Sequence, residues 1–193
     1  MAPDLDTSDR RETLVIKPAE FPKDLATVKS LFHAYAGSLD IDLAYQNFAD
    51  EISMLPGKYS PTAGGALLLA FGTREKQGEK ADGTELATKQ SQTPLGCACL
   101  RALSSSRCEL KRLYVVPSAR GLGIGKQLLR EMVMIAEDNG YSELVLDTLP
   151  SMVAAREMYR AFGFQECDRY YDSPIKGTSF LCLSIGFSSA IRS

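Results

Sequence analysis

Apolar positions along the chain fall into blocks whose spacing switches between two residues and about 3.6, the mark of strands interleaved with amphipathic helices. Thr13 to Lys17 predicts a short strand stopped by Pro18. From Pro22 a helix follows, with Leu25, Val28, Leu31, Phe32 and Tyr35 at helical spacing and Gly37 as its end. Phe48, Ile52 and Leu55 suggest a second, shorter helix over roughly Tyr45 to Leu55, ended by Pro56-Gly57. Gly65 to Phe71 is continuously apolar, as a strand buried on both faces would be. Leu95 to Leu103 predicts another strand, with Cys97 and Cys99 on one face. Between them, residues 73–93 are polar and patternless and read as a long solvated hairpin connection. Glu109 to Val116 is a strand closed by Pro117; Ile124, Leu128, Met132 and Ile135 continue as a helix to Gly140; Ser142 to Asp147 is a strand again. Ser151 to Phe162 is a helix with Ala155, Met158 and Phe162 on one face. Phe164 to Tyr171 and Phe180 to Phe187 then read as a closing hairpin across Pro174 to Gly177. Residues 1–11 lack periodicity and read as a disordered tail, which leaves 12–193 as a single domain.

A strand-loop-helix-strand unit of this length implies a parallel pair with a right-handed crossover. The loop between Val116 and the following helix therefore lies at the carboxyl end of a strand, where open α/β sheets hold ligands. That loop, Arg120-Gly-Leu-Gly-Ile-Gly-Lys126, alternates glycines at a helix N-terminus, so backbone N–H groups can converge on a phosphate.

Composition narrows the chemistry. With 193 residues, 45% of them hydrophobic, and a net charge of -2, the chain suits a globular protein and shows no basic excess for nucleic acid. It contains no apolar run long enough to cross a bilayer and begins on a polar, acidic stretch, so a cytoplasmic location is expected, with no membrane partner. The five cysteines lack metal-ligand spacing, and reduced, mostly buried thiols are expected. His33 is the single histidine and lies in a helix, where a structural or solvated role is the simpler one. No metal site is expected, and carboxylates, tyrosines, backbone and a cofactor are left to carry the reaction.

Spacing then separates the phosphate loops. A P-loop needs four residues between its glycines and a hydroxyl after its lysine; Gly121 to Gly125 has three, and Gln127 follows Lys126. The dinucleotide pattern fails because the third glycine, Gly125, comes one position early. What remains is R-x-x-G-x-G over Arg120 to Gly125, preceded by Leu-Tyr-Val-Val-Pro and followed downstream by Leu144-Val-Leu-Asp-Thr148, Ala155-Arg-Glu-Met-Tyr159 and Gly163-Phe164. In these motifs, and in its order of elements, the chain resembles the GNAT superfamily of acetyl-CoA-dependent N-acetyltransferases.

The resemblance implies an α/β fold of the α+β type: a mixed, mostly antiparallel sheet with a parallel pair splayed at the cofactor site and helices on both faces. It implies acetyl-CoA as co-substrate, no metal, and direct transfer of the acetyl group to a primary amine. The cofactor would be held by Leu113, Val115, Arg120, Gly121, Leu122, Gly123, Ile124, Gly125, Lys126 and Thr148, with the Val115 N–H polarising the thioester carbonyl. Lys126 and Arg130 share a helix face, and a solvated surface is an equal alternative for them. Many relatives have an asparagine where Met152 stands, so its hydrogen bond would come from Thr148 or Ser151. Glu109, placed by period two on the face of Lys111, Leu113 and Val115, would be the general base; an ion pair with Lys111 or Arg107 is the competing reading. Tyr159 would be the general acid for the departing thiolate, a role that rests on the resemblance alone.

In this fold the acceptor would be walled by the first helices and the closing hairpin. Tyr35, Tyr45 and Tyr171 are the candidate substrate contacts, with Tyr59 and Tyr170 beside them and packing as their plainer role. With Asp40, Asp42, Asp168 and Asp172 nearby in sequence, a small cationic or aromatic amine is the expected partner, and the protein a monomer or homodimer. The alternatives are acylation of protein amines, use of another acyl-CoA, or a non-catalytic acetyl-CoA-binding module.

Overall fold

A computed structural model describes residues 13–39, 41–76 and 89–186. The tail read over residues 1–11, Asp40 and the middle of the polar connection lie outside the described residues. Seven strands form one open sheet: β1 (Thr13–Pro18), β2 (Ala66–Lys76), β3 (Lys89–Ala102), β4 (Arg107–Val115), β5 (Glu143–Thr148), β6 (Gln165–Glu166) and β7 (Ser179–Ser184). Their order is β1-β2-β3-β4-β5-β7-β6, and every neighbouring pair is antiparallel except β4 and β5. This is the mixed sheet with one parallel pair that the GNAT-like motifs imply.

Helices cover both faces because the central strands bury both. Leu68, Ala70, Ala98, Leu100, Cys108 and Leu110 pack with Leu128, Leu129 and Met132 of α3 (Ile124–Asp138) and Tyr159 of α4 (Val153–Ala161). The alternate residues Leu67, Leu69, Phe71, Cys97 and Cys99 meet Val28, Leu31 and Phe32 of α1 (Leu25–Gly37), with Phe48 and Ile52 of α2 (Phe48–Ser53) at the margin. Cys97, Cys99 and Cys108 are buried free thiols, and burial pushes Cys97 and Cys108 up to about 12, so they stay protonated.

Several elements differ from the sequence reading. Ladder pairing continues from Thr73↔Gln92 to Lys76↔Lys89, so both ends of the polar connection are strand, and only its middle lies outside the described residues. Backbone hydrogen bonds hold such an arm without an apolar face, which is why alternation did not reveal it. The helix expected over Tyr45 to Leu55 is a 3-10 turn (Leu43–Gln46) and then α2, separated by Asn47 in the left-handed region at φ 54°. The strand expected over Phe164 to Tyr171 survives only as Gln165–Glu166; beyond Cys167, whose N–H bonds the Phe180 carbonyl, the chain leaves the sheet and carries Tyr170 and Tyr171 over its face.

Two irregularities in β4 create the site. Opposite Cys97 and Cys99 of β3 stand Tyr114 and Lys111, so β4 holds one extra residue there, with Arg112 at φ 55°. This bulge switches the strand's phase. Before it, Glu109 and Lys111 face α1 and α2; after it, Tyr114 does, while Leu113 and Val115 turn toward α3. The single face expected for Glu109, Lys111, Leu113 and Val115 is thus divided in two. Secondly, β4 and β5 pair only from Arg107↔Glu143 to Glu109↔Val145, and beyond that both strands run on without a ladder. Between them opens a gap.

Candidate active site

The gap's α3 side is built of backbone. Val116 N–H donates to Leu95 O across the β3 edge, so the N–H and C=O of Val115 point the other way, toward the gap. Arg120 Nε donates to that Val115 carbonyl at 3.2 Å, which brings the first residue of the glycine loop back onto the strand end. Gly121 and Gly123 both have positive φ, 82° and 77°, conformations that a side chain would strain. With Gly123 as N-cap of α3 and no capping side chain, the next backbone amide after Arg120 with an acceptor among the described residues is that of Gln127, bonded to Gly123 O. The N–H groups from Gly121 to Lys126 are left clear at the positive end of a 15-residue helix. Lys126 and Arg130 are exposed one turn apart, and Leu122 is also exposed.

At the end of β5, the Thr148 hydroxyl is buried and has no hydrogen-bond partner among the described residues. An unmet buried hydroxyl costs about 1–3 kcal/mol, and here it lies on the strand that borders the gap. Unbonded strand amides, this orphan hydroxyl and the clear loop amides are the groups that a pantetheine arm and a pyrophosphate would satisfy.

The gap's other side is built of charge. Glu109 is 0% exposed; its Oε1 accepts from Tyr170 OH at 3.0 Å and lies 3.4 Å from Lys111 Nζ, and its Oε2 accepts from Arg101 Nε. Lys111 Nζ also reaches Asp147 Oδ1 at 3.0 Å, so one ammonium bridges the two strands where they part. Next to it, Arg112 forms a two-pronged pair with Glu51 of α2, Nε to Oε1 at 2.8 Å and Nη2 to Oε2 at 3.0 Å, and bonds Gln46 through Nη1. Its guanidinium lies over the rings of Tyr35 and Phe48. Burial would raise the Glu51 carboxyl, but Arg112 and then Lys58 outweigh it and hold that group at about 2.

Tyrosines converge on this network. Tyr35, Tyr45, Tyr159, Tyr170 and Tyr171 all have raised pKa values, chiefly from burial, and each is also raised by the charge of Asp147; Tyr35 reaches about 12. Tyr170 and Tyr171 are wedged with Phe180, which lies opposite Asp147 in β7, at ring separations of 5.2 to 5.6 Å. Of the sequence candidates, Tyr35, Tyr45, Tyr159 and Tyr171 thus all feel the charge of Asp147, to which Glu109 is linked through Lys111. Tyr59 instead packs in the core and donates to Glu51 at 2.9 Å. His33 is exposed against Phe48. The aspartates expected near the tyrosines stand apart: Asp42 accepts from Ala44 N–H, Asp168 is exposed and Asp172 pairs with Arg169 at the surface.

The Glu109–Lys111 ion pair that the sequence offered as the competing reading is present, whereas Arg101, Arg112, Glu51 and Asp147 were given no role. Two signals were there to be used: consecutive cations at Lys111-Arg112, which break period two in mid-strand and so announce a bulge, and Asp147, a carboxylate inside an otherwise apolar strand.

Known proteins with the same features fix the lineage. The profile of the acetyltransferase (GNAT) family matches residues 56–164, from just after α2 to just before β6. An uncharacterised N-acetyltransferase of Schizosaccharomyces pombe is 34% identical over 171 residues, covering 88% of this chain and 94% of its own. Among solved structures, a GNAT-family acetyltransferase from Staphylococcus aureus superposes with a TM-score of 0.69 at 18% identity, over 90% of this chain and 100% of that one. The Salmonella typhimurium protein yncA, solved with its cofactor acetyl-CoA, superposes with a TM-score of 0.60 at 16% identity, over 92% and 96%. With its sheet split between β4 and β5, a glycine loop capping α3 and this match over more than half its length, the chain belongs to the GNAT family of acetyltransferases.

Proposed function

We propose that the protein transfers an acetyl group from acetyl-CoA to the primary amine of a small molecule. The observation that carries this reading is the gap itself: the free Val115 N–H on one side, the partnerless Thr148 hydroxyl on the other, and the clear amides of Gly121 to Lys126 at its end. Acetyl-CoA, when bound, supplies the acetyl group as a thioester open to attack by an amine. Leu113 and Val115 would hold the pantetheine by strand-like hydrogen bonds, Thr148 would complete them, and Arg120 with the loop through Leu122 and Ile124 to Lys126 would hold the pyrophosphate. The match to yncA, solved with acetyl-CoA, supports the choice of cofactor.

Tyr159 holds the proton for the departing sulfur. Burial, with the charges of Tyr35 and Asp147 behind it, raises its pKa, so the phenol remains protonated at neutral pH as a general acid requires. On the acceptor side an alkylamine must lose a proton before it attacks. Glu109 receives it in this proposal, not by contact, since its carboxylate is fully enclosed, but through the Tyr170 hydroxyl: the amine proton passes to the Tyr170 oxygen as Tyr170 gives its own to Glu109 Oε1. A second reading has a specific observation behind it. Asp147 uses one oxygen for Lys111, its other oxygen has no bond among the described residues, and it lies at the gap. Two cavities of about 200 and 250 Å³ open over this charged side and suit a small acceptor.

The test is release of free thiol from acetyl-CoA against an amine library, repeated on Tyr159→Phe, Tyr170→Phe and Asp147→Asn. The proposal expects turnover in the wild type, with kcat lowered about 100-fold in Tyr159→Phe. The proton route is read from which of Tyr170→Phe and Asp147→Asn lowers kcat the more. Acetyl-CoA binding without turnover of any amine would leave a binding module.

A further inference from the structure

Arg101 keeps two donor nitrogens unpaired among the described residues. Its partner in the folded chain is Glu109, reached through Nε; among the described residues neither Nη1 nor Nη2 has an acceptor, and the side chain is 30% exposed. Arg112, by contrast, spends Nε, Nη1 and Nη2 on Glu51 and Gln46. A guanidinium fixed at Nε by a buried carboxylate presents its remaining N–H groups in a rigid plane, the geometry that takes a carboxylate by two parallel hydrogen bonds.

Its placement agrees. Arg101 lines both small cavities and also a larger cleft of about 790 Å³ that opens at the amino-terminal ends of β4 and β5, beside Arg107, Tyr170 and Tyr171. Lys58, with a side chain 36% exposed, lines both small cavities, and Lys111 lines the one that contains Tyr45 and Tyr171. Against these three cations that cavity offers one lining carboxylate, Glu51, which Arg112 and Lys58 already occupy. Low-dielectric walls of one net sign concentrate ligands of the other sign. The cations lining this cavity thus outnumber its lining carboxylates, which favours an acceptor amine that also brings an acid group.

We propose that the acceptor is an amine carrying a carboxylate, and that Arg101, assisted by Lys58, is the residue that holds this acid group while the amine reaches the β4–β5 gap. The inference rests on the acetyl-transfer reading above and names the substrate class of the same site. The sheet sets the spacing. Arg101 stands opposite Glu109, and Glu109 stands opposite Val145 in the last β4–β5 pair before the gap opens. Two strand separations make about 10 Å, the reach of about three extended residues. Short acidic amines such as glycylglycine and triglycine fit this span better than glycine.

Thiol release from acetyl-CoA is measured with glycine, glycylglycine and triglycine, each against its C-terminal amide. The acid is expected to exceed its amide by about tenfold or more in kcat/KM, through KM, for at least one of the longer pairs. Arg101→Lys keeps a cation beside Glu109 but removes the fork, and should bring the acid-to-amide ratio close to one; Lys58→Gln should lower it by a few-fold. Because each ratio is taken within one variant, a general loss of activity does not imitate the effect. Amides turned over as well as acids by the wild type, or a ratio unmoved in Arg101→Lys, would overturn the anchor while leaving acetyl transfer standing. Failure of every amine with acetyl-CoA bound would instead remove the transferase reading, and the anchor with it.

Discussion

The two sides of the β4–β5 gap do related work with different materials. Toward α3 the groups are backbone: Val115, the amides of Gly121 to Lys126, and one hydroxyl, Thr148. Toward α1 and α2 four cations and three carboxylates form two largely buried clusters, Lys58–Glu51–Arg112 and Arg101–Glu109–Lys111–Asp147. A backbone site is indifferent to most side-chain changes and contributes little to stability. A buried charge network is the reverse, since removing one member strands another in a low-dielectric interior. Substitutions on the first side should therefore alter cofactor use with the fold intact, and substitutions on the second should cost the fold first.

The largest effect expected is at the Arg112–Glu51 pair. Arg112→Leu leaves a buried glutamate without its fork and should cost about 3–5 kcal/mol, read as a lower urea midpoint with unchanged slope. The same pair predicts acid sensitivity. Glu51 is held at about 2 in the folded chain, below the value of about 4.3 for an unfolded glutamate. Its contribution is complete above the unfolded value and fades as pH falls toward 2, a loss of about 3 kcal/mol that urea titrations between pH 6 and pH 3 would show in part.

On the other side, Gly123→Ala forces a side chain into a positive-φ N-cap with open space around it. The strain is about 1–2 kcal/mol, and the expected result is a several-fold rise in KM for acetyl-CoA with a urea midpoint lowered by no more than that strain, less than in Arg112→Leu. Thr148→Val should give the smallest and most diagnostic effect. Replacing the orphan hydroxyl by a methyl group removes an unsatisfied polar atom, so the free protein should gain up to about 1 kcal/mol while its acetyl-CoA affinity falls. A loss of both, by thermal shift and titration calorimetry, would mean that Thr148 serves the fold and not the cofactor.

The same contrast decides what could be read from the sequence. The backbone side is local: glycines, a proline stop and a helix start lie within Pro117 to Lys126, and spacing alone separated this loop from the two other phosphate patterns. The charged side is assembled from residues 61 positions apart for Arg112 and Glu51, and 36 apart for Lys111 and Asp147. No periodicity joins such positions. Glu109 was found because its strand neighbours and the family motif pointed to it, yet its enclosure by Arg101, Lys111 and Tyr170 follows from the bulge at Arg112 and from the closing segment leaving the sheet after Cys167. Strict alternation over Glu109 to Val116 would put Glu109, Leu113 and Val115 on one face; the inserted residue divides them between the two.

Incubation of the protein with acetyl-CoA and glycylglycine, with both products quantified by mass spectrometry, separates acetyl transfer from hydrolysis and from binding alone. Acetyl transfer predicts N-acetyl-glycylglycine and free coenzyme A in equal amounts. Coenzyme A released with acetate alone, or no release from protein that demonstrably binds acetyl-CoA while the rest of an amine library is equally inert, would contradict it.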